Sequence, residues 1–418
     1  MIRKHQQIAD ALTTEDLWKL MMLRVPPVVS EYFRGGADSE TTLRANVRAF
    51  QQSMTTARGA LSFPSIDLST TVVGHRLAVP WYISPVGSLR TLYPMAEAVA
   101  SQVAGEFGTV MGMSTFSGTP MEEVAKASVG DCWYQLYLCG GRETALRGIE
   151  RAKKAGFTAL ILTIDTGVSG LRALHARMKP MQVTGSFRGL DLPEQLELAV
   201  RKLMLAPQML PRLPWLIDHF RDGGLMQFVN VIDQYGQPMP YADIGKQLAA
   251  SAVTWEDLTW IKEAWGDDKP LIVKGVHCAD DARKAEEMGA SGVIWSNHGG
   301  RQQDRVPPTL HIVAQEMPLM GDTQLDFMMD GGIRNGTDIL IALSYGVKAV
   351  GLGRVTAAGI GAGGHAGLTR AFEILESDLD RAMRLVGVQS IAEVQTRGAE
   401  IRRESQLRGD GHLPPIVF

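Results

Sequence analysis

From Val79 onward, the chain alternates short apolar runs with longer stretches that carry Ala, Glu, Lys and Arg on one face. Short apolar runs between polar residues predict buried strands, and the longer amphipathic stretches, such as 142–155 and 280–288, predict helices. The predicted strands are 79–84, 109–113, 132–138, 159–164, 271–274, 292–296, 325–329 and 348–352. Eight strand-then-helix units in series favour a closed α/β barrel, the (β/α)8 TIM barrel, over an open doubly wound sheet.

The first 60 residues have a different pattern, which predicts an N-terminal helical cap. Thr14-Glu15-Asp16 precedes an amphipathic run that Pro26-Pro27 ends, and Gly35-Gly36 ends a second short helix. No Pro- or Ser-rich linker interrupts the chain, so we predict a single domain. Its predicted parts within 1–418 are the cap at 1–60, the barrel at 61–390 and a C-terminal tail at 391–418.

The stretch between Asp165 and Thr254 is too long for a simple connection between a strand and the next helix. We assign residues 173–250 to an insertion after the fourth strand. Its middle, 196–220, is rich in Leu and Met and carries scattered Arg, Lys and Pro. One interpretation is a small helical subdomain that packs on the barrel. The other is an amphipathic lobe that lies on a membrane or covers the active site.

Polar side chains follow the predicted strands, at the end of a barrel where active sites lie. The sixth strand ends in Ser296-Asn297-His298-Gly299-Gly300-Arg301-Gln302, which puts a titratable base and a fixed cation on one loop. Such a pair can hold a small anion and move a proton from it; the alternative is a surface turn with incidental polar residues. Other strand ends and the loop after strand 4 carry Ser114, Gln135, Tyr137, Thr163, Asp165, Arg172 and Lys274. Their convergence favours a site.

Two glycine-rich turns follow the last two strands. Asp330-Gly331-Gly332-Ile333-Arg334 ends the seventh and Gly353-Arg354 the eighth. Either turn alone is compatible with a tight loop, but together they favour a phosphate site built from backbone N–H groups and arginine. The GxGxxG match at 359–364 starts several residues after its strand. We therefore predict a flexible loop there and no NAD site.

Composition and charge exclude several classes of function. The 418 residues are 45% hydrophobic and 21% charged with a net charge of -3, so no nucleic-acid partner is expected. The three cysteines lack CxxC spacing and the histidines are dispersed, which predicts a reducing cytoplasmic location and no metal site. No secretion signal or membrane-spanning run is predicted. Peripheral contact with the inner face of the membrane through 196–220 is the alternative location.

The motifs at 273–275, 296–302, 330–334 and 353–354 together resemble the FMN-dependent α-hydroxy acid oxidase/dehydrogenase family, which includes glycolate oxidase, lactate oxidase, L-lactate dehydrogenase and mandelate dehydrogenase. The resemblance begins near Tyr32 and weakens across 173–250. It implies a (β/α)8 barrel, FMN as cofactor, and oxidation of an L-2-hydroxy acid to the 2-oxo acid. It also implies electron transfer to oxygen, or to a quinone or other carrier, and a homo-oligomer, often a tetramer.

The resemblance further implies roles for individual residues. His298 is expected to be the catalytic base, with Asp165 as its partner. The expected partners of the substrate are Arg172 and Arg301, which clamp its carboxylate, with Tyr32, Tyr137 and His298. Lys274 is expected beside flavin N1 and the C2 carbonyl. The other expected FMN-binding residues are Pro85, Val86, Gly87, Ser114, Gln135, Thr163 and Ser296 around the ring, Asp330 at the ribityl chain, and Gly331, Gly332, Arg334, Gly353 and Arg354 towards the phosphate.

The chain departs from the family pattern at three positions. Phe116 stands where glycolate oxidases carry tryptophan, which predicts a pocket of different shape, and Gly167 replaces a common proline. Gly87 is typical of the family's dehydrogenases, whereas its oxidases tend to carry alanine. We therefore expect a dehydrogenase. Two other functions remain as alternatives: a flavin- or phosphate-binding barrel of another reaction type, such as a non-redox isomerase, and a membrane- or partner-docking protein on an inactive barrel.

Overall fold

The computed structural model describes residues 7–178, 191–224, 227–233, 235–239, 247–249 and 252–404. Parts of the predicted insertion, and residues 405–418 of the predicted C-terminal tail, lie outside these ranges. The strands are β1 Ser53–Thr55, β2 Thr70–Val72, β3 His75–Leu77, β4 Trp81–Ile83, β5 Met111–Ser114, β6 Cys132–Leu136, β7 Ala159–Thr163, β8 Phe228–Ile232, β9 Pro238–Met239, β10 Leu271–Val276, β11 Gly292–Trp295, β12 Asp326–Asp330, β13 Ala349–Leu352 and β14 Arg402–Glu404.

The helices surround these strands. They are α1 Thr14–Arg24, α2 Pro27–Arg34, α3 Thr41–Gln52, α4 Ala96–Glu106, α5 Met121–Ala127, α6 Gly141–Ala155, α7 Ala173–Arg177, α8 Leu192–Met209, α9 Leu213–Arg221, α10 Asp257–Trp265, α11 Ala279–Glu287, α12 Thr309–Glu316, α13 Gly336–Leu343, α14 Arg354–Gly363, α15 His365–Val386, α16 Ile391–Thr396 and α17 Gly398–Ile401.

Eight parallel strands close into a barrel in the order β10-β11-β12-β13-β4-β5-β6-β7. The predicted (β/α)8 fold is therefore confirmed, and each predicted strand has a counterpart. Strands such as β7 and β11 are buried along their whole length, which explains why they read as continuous apolar runs. Parallel register pairs Lys274 with Thr163 and Ser114 with Gln135. The polar residues at the strand ends thus reach one layer at the barrel mouth.

Helices α1 to α3 occupy the predicted cap. Thr13 caps α1 and forms a capping box with Asp16. Helix α1 packs on α14, and a Cβ at Gly361 would lie 2.2 Å from Met21, so only glycine permits this approach. The prediction of a flexible loop at 359–364 was wrong: residues up to Gly363 belong to α14. These glycines serve helix packing.

The inserted helices α8 and α9 lie against the cap. Arg212, between them, donates to the carbonyls of Val25 and Met22 at 2.9 Å each. Arg24 pairs with Asp218 at 3.1 Å. In the part of the chain that the structure describes, no helix has both the length and the apolar character needed to cross a membrane.

Candidate active site

A cavity of about 350 Å³ opens at the C-terminal mouth of the barrel. Most of the residues predicted for the site line it: Tyr32, Pro85, Val86, Gly87, Ser114, Tyr137, Arg172, Lys274, His298, Arg301, Asp330, Gly331, Gly332, Arg334, Gly353 and Arg354. Gln135, Thr163, Asp165 and Ser296 are predicted site residues that do not line it. Asp165, Gln135 and Ser296 hydrogen bond with lining residues, and Thr163 is paired in register with Lys274.

His298 and Asp165 form a hydrogen-bonded pair at the centre of this mouth. Nδ1 of His298 lies 3.1 Å from both carboxylate oxygens of Asp165. The loop that carries His298 turns sharply, with a φ of 57° at His298 itself, and Ser296 Oγ accepts its N–H at 3.0 Å. With Nδ1 held by the carboxylate, Nε2 is the ring nitrogen left to act on a ligand.

Burial by itself would raise the pKa of the Asp165 carboxyl. The His298 ring, Lys274 and His277 more than offset that effect, so the pKa lies below its ordinary value. Asp165 is therefore an anion at neutral pH. An anion at this position fixes the orientation of the imidazole and stabilises its protonated form.

Arg172, in the loop after β7, and Arg301, in the loop after β11, both lie near the ring of Tyr32. The guanidinium carbons lie 5.6 Å and 4.8 Å from the ring centroid. Nη1 of Arg301 donates to the carbonyls of Tyr32 at 2.6 Å and Gly35 at 3.1 Å. Burial first, and then the neighbouring Arg172, lower the pKa of Arg301 to about 10. Two neighbouring cations that are each partly buried favour the binding of an anion.

Lys274, Asp330 and Ser296 form a buried triangle. Lys274 Nζ lies 2.8 Å from an Asp330 oxygen and 2.6 Å from Ser296 Oγ, which donates to the other Asp330 oxygen at 2.5 Å. The lysine and aspartate side chains are each nearly fully buried here, and the ion pair between them compensates both charges. The triangle thus fixes one cation at the mouth of the fifth barrel strand.

The glycine-rich turns lie at the far end of the cavity. Gly332 has a φ of 94°, and a Cβ there would lie 2.4 Å from the Asn46 carbonyl, so the turn requires glycine. Helix α14 starts at Arg354, which brings its N-terminal N–H groups to this end. The Arg354 guanidinium donates to the carbonyls of Phe33 at 2.9 Å and Gly299 at 3.0 Å, and so ties the cap to the His298 loop.

The site carries an excess of positive charge. Its buried or partly buried cations are Arg172, Lys274, Arg301, Arg334 and Arg354, and its carboxylates are Asp165 and Asp330. Burial, and then Arg301 and Arg334, lower the pKa of Arg354 well below its ordinary value. Anionic ligands relieve this repulsion, and the arrangement therefore suits a phosphate at one end and a carboxylate at the other.

Several residues that line the cavity were not among the predicted site residues, Ser84, Gln302, Phe228 and Leu248 among them. Ser84 contacts Asp330, and Gln302 ties the His298 loop to the loop after β7. Phe228 and Leu248 come from the insertion and reach the cavity. No local signal distinguished these two from other apolar residues of the insertion, whereas Gln302 was adjacent to Arg301 and was a natural candidate.

The family model for FMN-dependent dehydrogenases matches residues 22–400. The chain belongs to this family. Among curated proteins, it is 34% identical to L-lactate dehydrogenase of Xanthomonas campestris over 381 residues, which cover 89% of this chain and 92% of that protein. It is 33% identical to (S)-mandelate dehydrogenase of Pseudomonas putida, with 90% and 91% covered. For glycolate oxidase 3 of Arabidopsis thaliana the identity is 30%, with 90% and 92% covered.

Solved structures agree with this assignment. The structure of the monotopic membrane protein (S)-mandelate dehydrogenase superimposes with a TM-score of 0.82 at 30% identity, and covers 94% of this chain and 100% of that chain. The protein is thus an oxidoreductase with FMN as its cofactor.

The residues at the barrel mouth fit FMN. Within the described residues, Gln135 Nε2 and Thr163 Oγ1 are buried without a hydrogen-bond partner, although a buried polar group normally has one. Both lie in the strand-end layer beside Ser114 and Lys274, where a flat, polar-edged ring would satisfy them. The excess of positive charge and the start of α14 suit the phosphate of the same cofactor.

Proposed function

We propose that this FMN-dependent dehydrogenase oxidises an L-2-hydroxy acid to the 2-oxo acid, with His298 as the base. The observation that carries the proposal is one arrangement: an imidazole backed by an ionised carboxylate, beside two partly buried arginines. The arginines match the carboxylate of the substrate, and the imidazole matches the hydroxyl on the neighbouring carbon.

Each residue has a defined task in this reaction. Arg172 and Arg301 bind the carboxylate and hold the α-carbon at one place, with the Tyr137 hydroxyl as a hydrogen-bond donor. Burial raises the pKa of Tyr137, so its hydroxyl stays protonated. Nε2 of His298 removes the hydroxyl proton as the α-carbon loses its hydrogen, and Asp165 stabilises the resulting imidazolium.

The ring of FMN would be held by Gln135, Thr163, Ser114 and Lys274. Bound FMN would be the two-electron acceptor of the reaction. The ammonium of Lys274 offsets negative charge that develops beside it during the reaction. Its role is therefore electrostatic, and the buried Asp330 keeps it in place.

Anaerobic titration of the holoenzyme with 2-hydroxy acids tests the proposal. We expect the flavin absorbance near 450 nm to bleach with at least one such acid, and the rate of bleaching to fall about 10²- to 10⁴-fold in His298→Gln. A holoenzyme that no 2-hydroxy acid bleaches would instead favour the alternative of a non-redox barrel enzyme. Equal rates in the variant would exclude His298 as the base.

We further propose an electron acceptor other than oxygen. The support is Gly87, a residue typical of the family's dehydrogenases, which lies in the cavity lining and accepts a hydrogen bond from the Tyr32 hydroxyl. We expect slow oxygen consumption and fast turnover with a soluble quinone analogue. Oxygen consumption at the rate of the quinone reaction would show an oxidase.

The outer face of the insertion supports peripheral contact with a membrane. Leu213, Ile217 and Phe220 share one face of α9 and are 46%, 48% and 67% exposed, and Arg221 follows them. An exposed apolar face beside a cation is typical of helices that lie in a lipid interface. The similar mandelate dehydrogenase structure is described as a monotopic membrane protein.

Co-sedimentation with vesicles of phosphatidylethanolamine and phosphatidylglycerol tests this contact. We expect the wild type to sediment and Ile217→Ser/Phe220→Ser to stay in the supernatant. Leu319→Ser, a control at a leucine that is 56% exposed and lies outside the insertion, should behave as wild type. Equal sedimentation of all three proteins would refute the contact. Cytoplasmic location and assembly into a homotetramer remain predictions, the latter to be checked by analytical ultracentrifugation.

A further inference from the structure

One side of the cavity is an apolar wall, of which only the Tyr137 hydroxyl has a task in the proposed reaction. It consists of Phe116, Tyr137, Phe228 and Leu248, and we call it the aromatic wall. Phe116 is stacked on Tyr137, with ring centroids 4.9 Å apart and planes 20° from parallel. Phe116 also contacts Phe228 at 5.3 Å. Phe116 and Tyr137 are thus nearly parallel, Phe228 is tilted by 51° against Phe116, and the three rings form a continuous apolar surface.

Half of this wall comes from the insertion, and it is firmly supported. Phe228 starts β8, and two residues later the side chain of Asn230 accepts a hydrogen bond from the Met121 N–H at 3.0 Å and donates to the Thr119 carbonyl at 2.9 Å. Arg151 donates to the Val229 carbonyl at 3.2 Å. Strand β8 is therefore tied to the loops that carry Phe116 and to the helix layer of the barrel.

The wall lies beside the place where the substrate's carbon chain would go. Tyr137 belongs both to the aromatic wall and to the part of the cavity that carries the arginines. Its ring stacks on Phe116, and its hydroxyl interacts electrostatically with Asp165, Arg172 and Arg301. A carboxylate held by the two arginines thus lies near the hydroxyl end of Tyr137. The remaining substituent of the α-carbon then has the aromatic wall next to it.

We infer that the aromatic wall binds the substrate's side chain and makes this enzyme select 2-hydroxy acids with a flat apolar substituent, such as a phenyl ring. This inference rests on the proposed function. A phenyl ring would gain offset stacking and apolar contact, whereas a methyl group would leave most of the wall uncovered. A second carboxylate would be desolvated there, because these four side chains offer it no cation.

A substrate panel on the holoenzyme tests the inference. Lactate, 2-hydroxy-2-phenylacetate and 2-hydroxysuccinate present a methyl, a phenyl and a charged substituent. We expect kcat/KM for the phenyl acid to exceed that for lactate by about 10-fold or more, and 2-hydroxysuccinate to be the poorest, since one methylene in an apolar pocket already changes kcat/KM by about 10- to 200-fold. If no acid reduces the flavin, the proposed function fails, and this inference with it. If lactate is used as well as the phenyl acid, the inference alone fails.

Substitutions in the aromatic wall test which residues set the preference for the phenyl acid. Phe228→Ala should lower the ratio of kcat/KM for the phenyl acid to kcat/KM for lactate about 10-fold, mainly through the KM of the phenyl acid. Val229→Ala is the matched control, on the opposite face of the same strand, and should keep the wild-type preference. Leu248→Phe fills the pocket and should lower the same ratio, which keeps the test valid if Phe228→Ala does not fold. An unchanged preference in both Phe228→Ala and Leu248→Phe, or an equal loss in the Val229 control, overturns the inference.

Discussion

Replacement of Arg301 by lysine separates the geometry of the carboxylate clamp from its charge. The variant keeps the positive charge but loses the planar fork. In the structure, Nη1 of Arg301 is already engaged by the carbonyls of Tyr32 and Gly35, which leaves Nε and Nη2 for a ligand. A lysine ammonium cannot serve these carbonyls and a carboxylate together. We therefore expect Arg301→Lys to fold and bind FMN, and to bind the substrate poorly.

The magnitude follows from the lost hydrogen bonds. One charge-assisted bond is worth about 1.5–3 kcal/mol, and the lysine loses at least one of two. Since about 1.4 kcal/mol is tenfold, the dissociation constant of the 2-hydroxy acid should rise about 10- to 100-fold. The rate of flavin reduction at saturation should also fall, because a substrate held by fewer bonds is less well oriented.

Anaerobic stopped-flow measurement of flavin reduction gives both quantities. The observed rate is followed against substrate concentration, and its saturation yields the dissociation constant and the limiting rate. Arg305→Lys is a matched control, because Arg305 is exposed and lies four residues further along the same loop. A dissociation constant within about twofold of wild type in Arg301→Lys would show that Arg301 does not bind the carboxylate.

Three further predictions concern the groups behind the site. Asp165→Asn should lower the rate of flavin reduction about 10²-fold or more. The pKa of Asp165 is lower in the folded protein than in the unfolded chain, so its ionised form adds stability that is full above about pH 4 and is lost as the pH falls through the folded pKa. Thermal unfolding measured from pH 3 to 7 should therefore show a shallower loss of stability on the acid side in the variant. An identical loss in both proteins would contradict this. Lys274→Met should lower the free energy of unfolding by about 3–5 kcal/mol, because it leaves the buried Asp330 carboxylate without its cation. In denaturant titrations, Lys274→Met/Asp330→Asn should recover part of this loss. A double variant no more stable than the single one would refute the pairing. Gln302→Leu removes two 3.1 Å hydrogen bonds, to the carbonyls of Asp165 and Val168, that fix the loop before Arg172. It should raise the KM of the 2-hydroxy acid about 10-fold and leave FMN affinity unchanged. An unchanged KM would show that Arg172 is positioned without this side chain.

Local pattern was sufficient for the barrel and for most of its mouth. A strand buried on both faces must be apolar throughout, and its polar end residues must lie where packing stops. The eight strands and their polar ends could therefore each be predicted from the sequence. The glycine-rich turn at 330–334 was readable for a related reason. Its backbone requires glycine, which leaves a visible mark in the sequence.

The pattern failed where a local motif had two physical explanations. The glycines at 359–364 suited a mobile loop as well as a closely packed helix, and only the position of Met21 on α1 decides for the helix. Phe228 and Leu248 were indistinguishable from the apolar residues that support the insertion. Their place in the cavity depends on how β8 returns to the barrel.

The sequence by itself determined the fold class, the strand ends and the chemical groups at the mouth, because each depends on burial and backbone freedom within a few residues. Only the tertiary structure decided which groups meet. Closure of the barrel brings His298 to Asp165 across 133 residues, and the cap brings Tyr32 to Arg301 across 269. Such contacts depend on the summed geometry of many elements, and no local periodicity encodes them.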